Sequence, residues 1–443
     1  MTTESRDLTL REVTFRTLWA FAFVFHQLSS QRFPLLWGTK GIFSTAALEL
    51  AIYLLSALVI LYPKSNSIWG GLLSLFVLYF LLDLPFVSNH LQIEALVSIA
   101  LLISLLRGET LPIRSLRLAT VVVYFWVTVH KLNWDFFKPE VSCANLFAGN
   151  VLKLFSLPDA AASLGVAMPI ITVATEAVIC LLLLIPRFSV FGFILGALFH
   201  FALGLDETKR FYNFSSPMFA LLILFLPERF FERVAKSGLR LALRRHLAAA
   251  AVALLVLFHF GTPGWNSLAV QRISFGGIFL VWLILSALFT CTVVRFARRT
   301  APGFEAKSPL RQVWLPLLFF LIGTGPYLGF RTRSAFDMYS NLQITSGNSN
   351  HFILPSLDLF GLIGNGVSID TYQDMPGASL STNKLLATQF EAMRVRCTSI
   401  SGRDEVEKTD PSNQNCRSRT RMILEKLLWF RPIDSAPQVS CRW

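Results

Sequence analysis

The sequence predicts an all-α polytopic membrane helix bundle of about eleven spans, followed by a small C-terminal extramembrane α+β region. Three observations lead there. The 443 residues are 53% hydrophobic and only 15% charged, whereas a soluble domain carries about 25% charged residues. Mean hydropathy is +0.55. Apolar segments near the ~20 residues needed to cross a bilayer core recur down the chain until Phe330.

Those segments lie at 14–30, 43–62, 68–87, 90–106, 115–131, 163–186, 188–205, 211–227, 246–262, 273–295 and 312–328. Two expected divisions follow: a transmembrane domain over 1–330 and an outer-face region over 331–443. In the second, "NLQITSGNSNHFILP" reads as strand–turn–strand, with the turn at Ser346, Gly347 and Asn348. "STNKLLATQFEAMRVRC" and "RTRMILEKLLWF" have helical periodicity. The first residues lack the charged n-region and cleavable h-region of a signal peptide, so the first span is expected to stay in the mature protein.

Orientation follows from Lys and Arg in short loops. Arg229, Arg233, Lys236, Arg240, Arg244 and Arg245 follow the eighth span, and Arg295, Arg298, Arg299, Lys307 and Arg311 follow the tenth. Arg107, Arg114 and Arg117 follow the fourth, and Arg6 and Arg11 precede the first. With this count all lie on one side, which is then cytoplasmic. The N-terminus is cytoplasmic and the C-terminal region outside, in a plasma or inner membrane or in an ER membrane. The net charge of +13 is explained by these loops, so no nucleic-acid partner is expected. Cys143, Cys397, Cys416 and Cys441 fall on the outer side. Fully paired, they allow three connectivities; free thiols are the alternative.

Ionisable residues within spans are costly and mark functional sites. Span parity puts His26, Glu49, Asp83, His90, Lys131 and His200 in the outer leaflet, with Glu176 nearer mid-span. Together they suggest a polar cavity opening outward. Each has a plainer reading. Lys131 alone is a snorkelling anchor. His90 alone is a helix-starting residue with Ser88 or Asn89 as cap. His200 alone is an interhelical hydrogen-bonder. Glu176 needs a partner or a proton. Walker A, HExxH and GxSxG patterns are absent from the sequence, as is zinc-ligand spacing, so no metal is expected.

The segment "YFWVTVHKLNWDFF" resembles the stretch around the catalytic lysine of the vitamin K-dependent gamma-glutamyl carboxylase. "SNHLQIEALVSIALL" resembles that family's Asn-His helix start. "FHFALGLDETKRFYNFSSPMFALLILFLP" is similar to its Phe-His, Phe-Ser-x-x-Met and apolar-Pro stretch. "PYLGFRTRSAFDMYSNLQITSGNSNHFIL" resembles its Pro-Tyr and aromatic-Asp-Met segment. The pieces occur in the order seen in the wider horizontally transferred transmembrane (HTTM) domain family, over roughly 14–355.

The resemblance implies roles. Lys131 matches the catalytic base, His90 the supporting histidine and His200 the Phe-His histidine. Phe336, Asp337 and Met338 match the segment near the substrate-binding region. Glu176, Asp83 and His130 are read as a supporting polar cluster. The implied activity is a lyase-class quinone epoxidase and carboxylase. It uses a reduced quinone like vitamin K hydroquinone, with O2 and CO2 as co-substrates. Implied partners are the lipid bilayer, an isoprenoid quinone, and an acceptor peptide or small molecule. The chain departs from the pattern in three places. His130-Lys131 stands where the carboxylase has a lysine pair. Asn341 stands where it has a histidine. The outer region is much shorter. Two rival classes are a transporter for a small polar solute and a non-catalytic membrane assembly protein of the same fold.

Overall fold

A computed structural model describes residues 8–29, 43–83, 87–157, 163–206, 209–236, 268–297, 311–331, 334–345, 348–357 and 359. Beyond these it describes four short strands and Cys441. The expected segment 246–262 lies outside the described residues, as do 419–430, Cys397 and Cys416.

The chain is mostly helical. In order come α1 (Leu10–Ser29), α2 (Phe43–Leu61), α3 (Asn66–Asp83), α4 (Asn89–Leu106), α5 (Ile113–His130) and α6 (Cys143–Leu154). Then come α7 (Ala167–Leu184), α8 (Ser189–Gly204), α9 (Tyr212–Leu222), α10 (Glu228–Lys236), α11 (Leu268–Ala297) and α12 (Trp314–Leu328). Among the described residues, four helical stretches are long and apolar enough to cross a membrane: Asn89–Leu106, Ala167–Leu184, Pro186–Gly204 and Gly276–Ala297. A fifth is counted if Tyr212–Phe225 and Glu228–Lys236, bent by 106°, form one span. The bend follows from Pro227, which lacks the N–H to continue the ladder. Past it, α10 is amphipathic, burying Phe230 and Phe231 while Arg229 and Glu232 stay accessible.

Two helices differ from expectation. The sequence between the fifth and sixth apolar segments contains α6, a 12-residue helix too short to span. Within the stretch 381–397, expected as helix, the described residues Asn383–Leu386 form strand β4, and the rest of that stretch lies outside the described residues. Its local helical pattern yields to pairing with β3 (Gly366–Tyr372), where Gly366 faces Leu386 and Ser368 faces Lys384. Strands β5 (Ile400–Gly402) and β6 (Ile433–Asp434) complete an antiparallel sheet of order β5-β3-β4-β6. The expected hairpin is present: β1 (Ile344–Thr345) pairs antiparallel with β2 (Asn348–Ser349). Of the expected turn, Ser346 and Gly347 lie outside the described residues, and Asn348 belongs to the second strand.

The chain divides into two compact units. The first comprises Met1–Leu82, His90–Val122 and Thr175–Pro316; the second comprises Asp83–Asn89, Val123–Ala174 and Leu317–Trp443.

In the first unit, α1 is the central helix and packs on α2 and α9. It starts in a capping box: Thr9 Oγ1 accepts from the Glu12 N–H at 3.2 Å, and the Thr9 N–H donates to Glu12 Oε2 at 3.1 Å. Trp19 Nε1 donates to Ser98 Oγ at 3.3 Å, tying α1 to α4. Trp282 of α11 fills the space that Gly204 leaves open, where a Cβ would come 2.0 Å from its ring. Its Nε1 donates to Ser216 Oγ of α9 at 3.1 Å.

In the second unit, the Cys143–Cys441 disulfide joins α6 to a residue 298 positions on. Phe136, Cys143 and Ala144 form a small core there, with Phe147, Met168 and Tyr339 against it.

Candidate functional site

Ionisable groups gather in two places, one in each unit. In the first unit the focus is His26, near the end of α1. Its Nδ1 lies 3.1 Å from Glu94 Oε2, and Glu94 is fully buried. The His26 and His90 rings are 4.8 Å apart, and Phe76 and Tyr79 flank His26 edge-on. His90 and Glu94 sit one turn apart on α4, so both reach the same neighbour. Nearby on α2, Tyr53 lies within electrostatic reach of Glu49, Tyr79 and Tyr212. Gln27 is fully buried too, and among the described residues neither its Nε2 nor its Oε1 has a hydrogen-bond partner. Among the described residues, Ser56 Oγ and Gln92 Oε1 likewise have no hydrogen-bond partner. Buried polar atoms are normally paired with protein or water.

His200 is buried elsewhere in that unit, ringed by Phe199, Phe214 and Phe219. Glu176 is buried on α7, one turn from Cys180, whose thiol donates to the Val121 carbonyl at 3.6 Å. Asp83 ends α3, and its side chain lies outside the described residues.

The second unit holds the segment Val123–Phe137. Lys131 is only 7% exposed. Its ammonium donates to the Val127 carbonyl at 3.2 Å and stands 5.9 Å over the Phe136 ring. His130 points a different way. Its Nε2 lies 2.9 Å from the Ala335 carbonyl, which only accepts, so Nε2 carries the proton. Its Nδ1 then accepts from the Tyr327 hydroxyl at 2.9 Å. Trp126 stacks on the His130 ring at 5.2 Å. The close approach of α12 depends on Gly323, where a Cβ would lie 2.2 Å from Trp126 Cδ1.

The residues after α5 act as a clasp. Asn133 Nδ2 donates to the carbonyls of His130 and Ser340 at 2.8 and 2.7 Å, and its Oδ1 accepts from the Phe136 N–H at 2.9 Å. Asn350 Nδ2 donates to Asp135 Oδ2 at 2.9 Å and to the Asn341 carbonyl at 2.8 Å. Asn341 Oδ1 accepts from the Cys143 N–H at 2.9 Å, and its Nδ2 donates to the Val141 carbonyl at 2.8 Å. The polar letters that end this greasy helix are therefore spent largely on holding 334–352. His351 belongs to the same clasp. Its Nε2 donates to the Val129 carbonyl at 2.9 Å, and its Nδ1 accepts from the N–H groups of Ile353 and Leu354.

Within 334–341, four non-glycine residues adopt left-handed backbone: Ser334, Phe336, Tyr339 and Asn341. Such geometry costs of order 1–3 kcal/mol per residue and clusters at functional sites. Here it turns Asp337 inward, to 1% exposure. Asp337 is within electrostatic reach of His130, Tyr327 and Arg331. Burial pushes the Arg331 guanidinium down to about 10, with Asp337 pulling the other way. Phe336 is buried against Phe319, with its N–H on Asn89 Oδ1 at 2.7 Å, while Met338 is half-buried.

Lys131 and His130 thus share a unit with Phe336, Asp337 and Met338, whereas His90, His200 and Glu176 belong to the other. Sequence reading missed Glu94, Tyr327 and Arg331. The His90–Glu94 spacing of four on one apolar helix was the available signal for the first. Among the described residues, no group of three or more His, Cys, Asp or Glu is arranged to hold a metal ion. No family model, curated protein or solved structure matches this chain.

Proposed function

We propose that this chain is an integral membrane enzyme related to the vitamin K-dependent gamma-glutamyl carboxylase, with Lys131 as its base. In this reading about eleven spans cross the membrane, the N-terminus is cytoplasmic, and an α+β region of 331–443 faces outside. The observation that supports it is the buried Lys131 amine, set between a main-chain carbonyl and the Phe136 ring. An amine against an aromatic wall suits a reduced quinone, whose ring is flat and whose hydroxyls are acidic enough to give up a proton. When bound, the reduced quinone would supply, by reaction with O2, the strong base that no protein side chain provides. Lys131 receives the hydroxyl proton, and the clasp of Asn133, Asn341 and Asn350 keeps the lysine's helix end in place. His90, contacted by His26, serves the acceptor step. The acceptor is a peptide or small molecule, with CO2 as co-substrate.

The test is purified protein in nanodiscs with a reduced naphthoquinone and O2, wild type against Lys131→Ala, reading quinone epoxide by mass spectrometry. Epoxide that disappears in the variant, with the fold intact, is the expected result. Epoxide formed equally by both sinks the assignment. Directional solute uptake into liposomes without chemical change would favour a transporter instead.

A further inference from the structure

The first unit has a cavity of about 800 Å³ that the proposed chemistry does not use. It lies where α1 and α3 begin and α4 ends, beside the turn that follows Leu106. Its floor is apolar, from Trp69, Leu101 and Leu105. Its lining also carries both signs of charge: Arg16 and Lys64 against Glu12 and Glu109.

Two of these four charges are engaged in the fold. Arg16 donates to the Pro63 carbonyl and to Asn66 Oδ1, at 3.3 and 2.9 Å, and stacks 5.5 Å over Trp69. Glu12 closes the capping box and accepts from the Leu111 N–H at 3.0 Å. The other two differ. Lys64 is exposed at the rim. Glu109 is ion-paired with Arg311 at 3.8 Å, longer than a hydrogen bond, and among the described residues its buried Oε2 has no hydrogen-bond partner. A carboxylate oxygen in that state wants a donor. This end of the bundle also carries Arg107 and Arg114, which the positive-inside rule assigns to the cytoplasmic side.

We infer that this cavity binds a zwitterionic phospholipid with a primary ammonium headgroup, of the phosphatidylethanolamine type, from the cytoplasmic leaflet. The ammonium donates to Glu109 Oε2, the phosphate meets Lys64 and the outer edge of Arg16, and the first part of an acyl chain lies on Leu101, Leu105 and Trp69. The two carboxylates disfavour a purely anionic headgroup. A quaternary ammonium has no N–H for Glu109, so phosphatidylcholine is discriminated against. The volume exceeds a headgroup and falls in the ~300–1,000 Å³ range of ligand sites, leaving room for chain. The inference stands independently of the quinone chemistry.

The experiment is native mass spectrometry of the full chain released from nanodiscs of equimolar phosphatidylethanolamine, phosphatidylcholine and phosphatidylglycerol. Retained phosphatidylethanolamine should exceed phosphatidylcholine about tenfold, the equivalent of one charge-assisted hydrogen bond. Glu109→Gln should erase that preference, Lys64→Gln should weaken both lipids alike, and Leu105→Trp should fill the floor and lose both. Thermal unfolding identifies any variant that has simply lost its fold, and Lys64→Gln, on an exposed side chain, stands apart from that concern. An unchanged preference in Glu109→Gln, or bound lipid unaffected by Leu105→Trp, overturns the inference. So does preferential retention of phosphatidylglycerol. Displacement by water-soluble phosphoethanolamine at matched concentration would assign the site to a free headgroup and overturn the lipid assignment.

Discussion

The Tyr327 hydroxyl donates to Nδ1 of His130 across 2.9 Å, while the Ala335 carbonyl fixes the proton on the other ring nitrogen. Both ring nitrogens of a fully buried histidine are thereby satisfied in one neutral tautomer. Tyr327→Phe leaves Nδ1 buried without its donor, which costs about 1–2 kcal/mol. Thermal unfolding of the detergent-solubilised protein measures it. An unchanged midpoint would mean that the bond contributes nothing.

Gly323→Ala is expected to be more damaging. A Cβ placed 2.2 Å from Trp126 Cδ1 forces the indole, and with it the stack on His130, to move. Overpacking of this kind costs about 1–3 kcal/mol. Adding Trp126→Leu to the same chain removes the clashing ring, so the double variant should recover part of the loss. If Gly323→Ala is neutral, α12 does not approach α5 through this glycine.

His26 and Glu94 form a buried pair at 3.1 Å. Removing the histidine leaves the buried Glu94 carboxyl without its partner, at about 1–3 kcal/mol; replacing Glu94 with Gln leaves only an amide and costs less. A double-mutant cycle with His26→Gln and Glu94→Gln should give a coupling above about 1 kcal/mol. Additive effects would mean that the two side chains do not interact.

His351 titrates below the ordinary imidazole value, because burial disfavours the charged ring and the Val129 carbonyl offsets only part of that. Its Nδ1 already accepts two backbone N–H groups, so a proton there has no acceptor to face. The unfolded chain therefore takes up the proton first. The stabilising contribution is complete above about pH 6.5 and is lost as pH falls from there towards the depressed native value. The melting-temperature gap between wild type and His351→Gln should narrow between about pH 7.5 and about pH 5.5. A constant gap would exclude a linked proton at this residue.

The helices were legible because apolar runs are local. Each expected segment from 14–30 to 211–227, and likewise 273–295 and 312–328, coincides with a helix within a few residues. How many of them cross a membrane is a separate question, and hydropathy and length alone qualify four or five. What escaped the sequence is non-local. Asn133, Asn341 and Asn350 read as ordinary loop residues, yet each bonds to partners far away in the chain. Phe336 and Tyr339 gave no sign of left-handed backbone, which bulky residues rarely adopt. Glu94 was hidden inside a helix read only for its first residues. Lys131 and His130, adjacent in sequence, looked like one feature; as neighbours on a helix end they point to different partners.

Cys143 leaves the ribosome 298 residues ahead of the cysteine it joins. At bacterial-to-eukaryotic synthesis rates of ~5–20 residues per second, that interval is roughly 15–60 s. Throughout it the first thiol waits while Cys397 and then Cys416 are made before its true partner. Oxidation that runs ahead of translation therefore captures the wrong sulfur. Correct pairing becomes a matter of timing as much as of proximity.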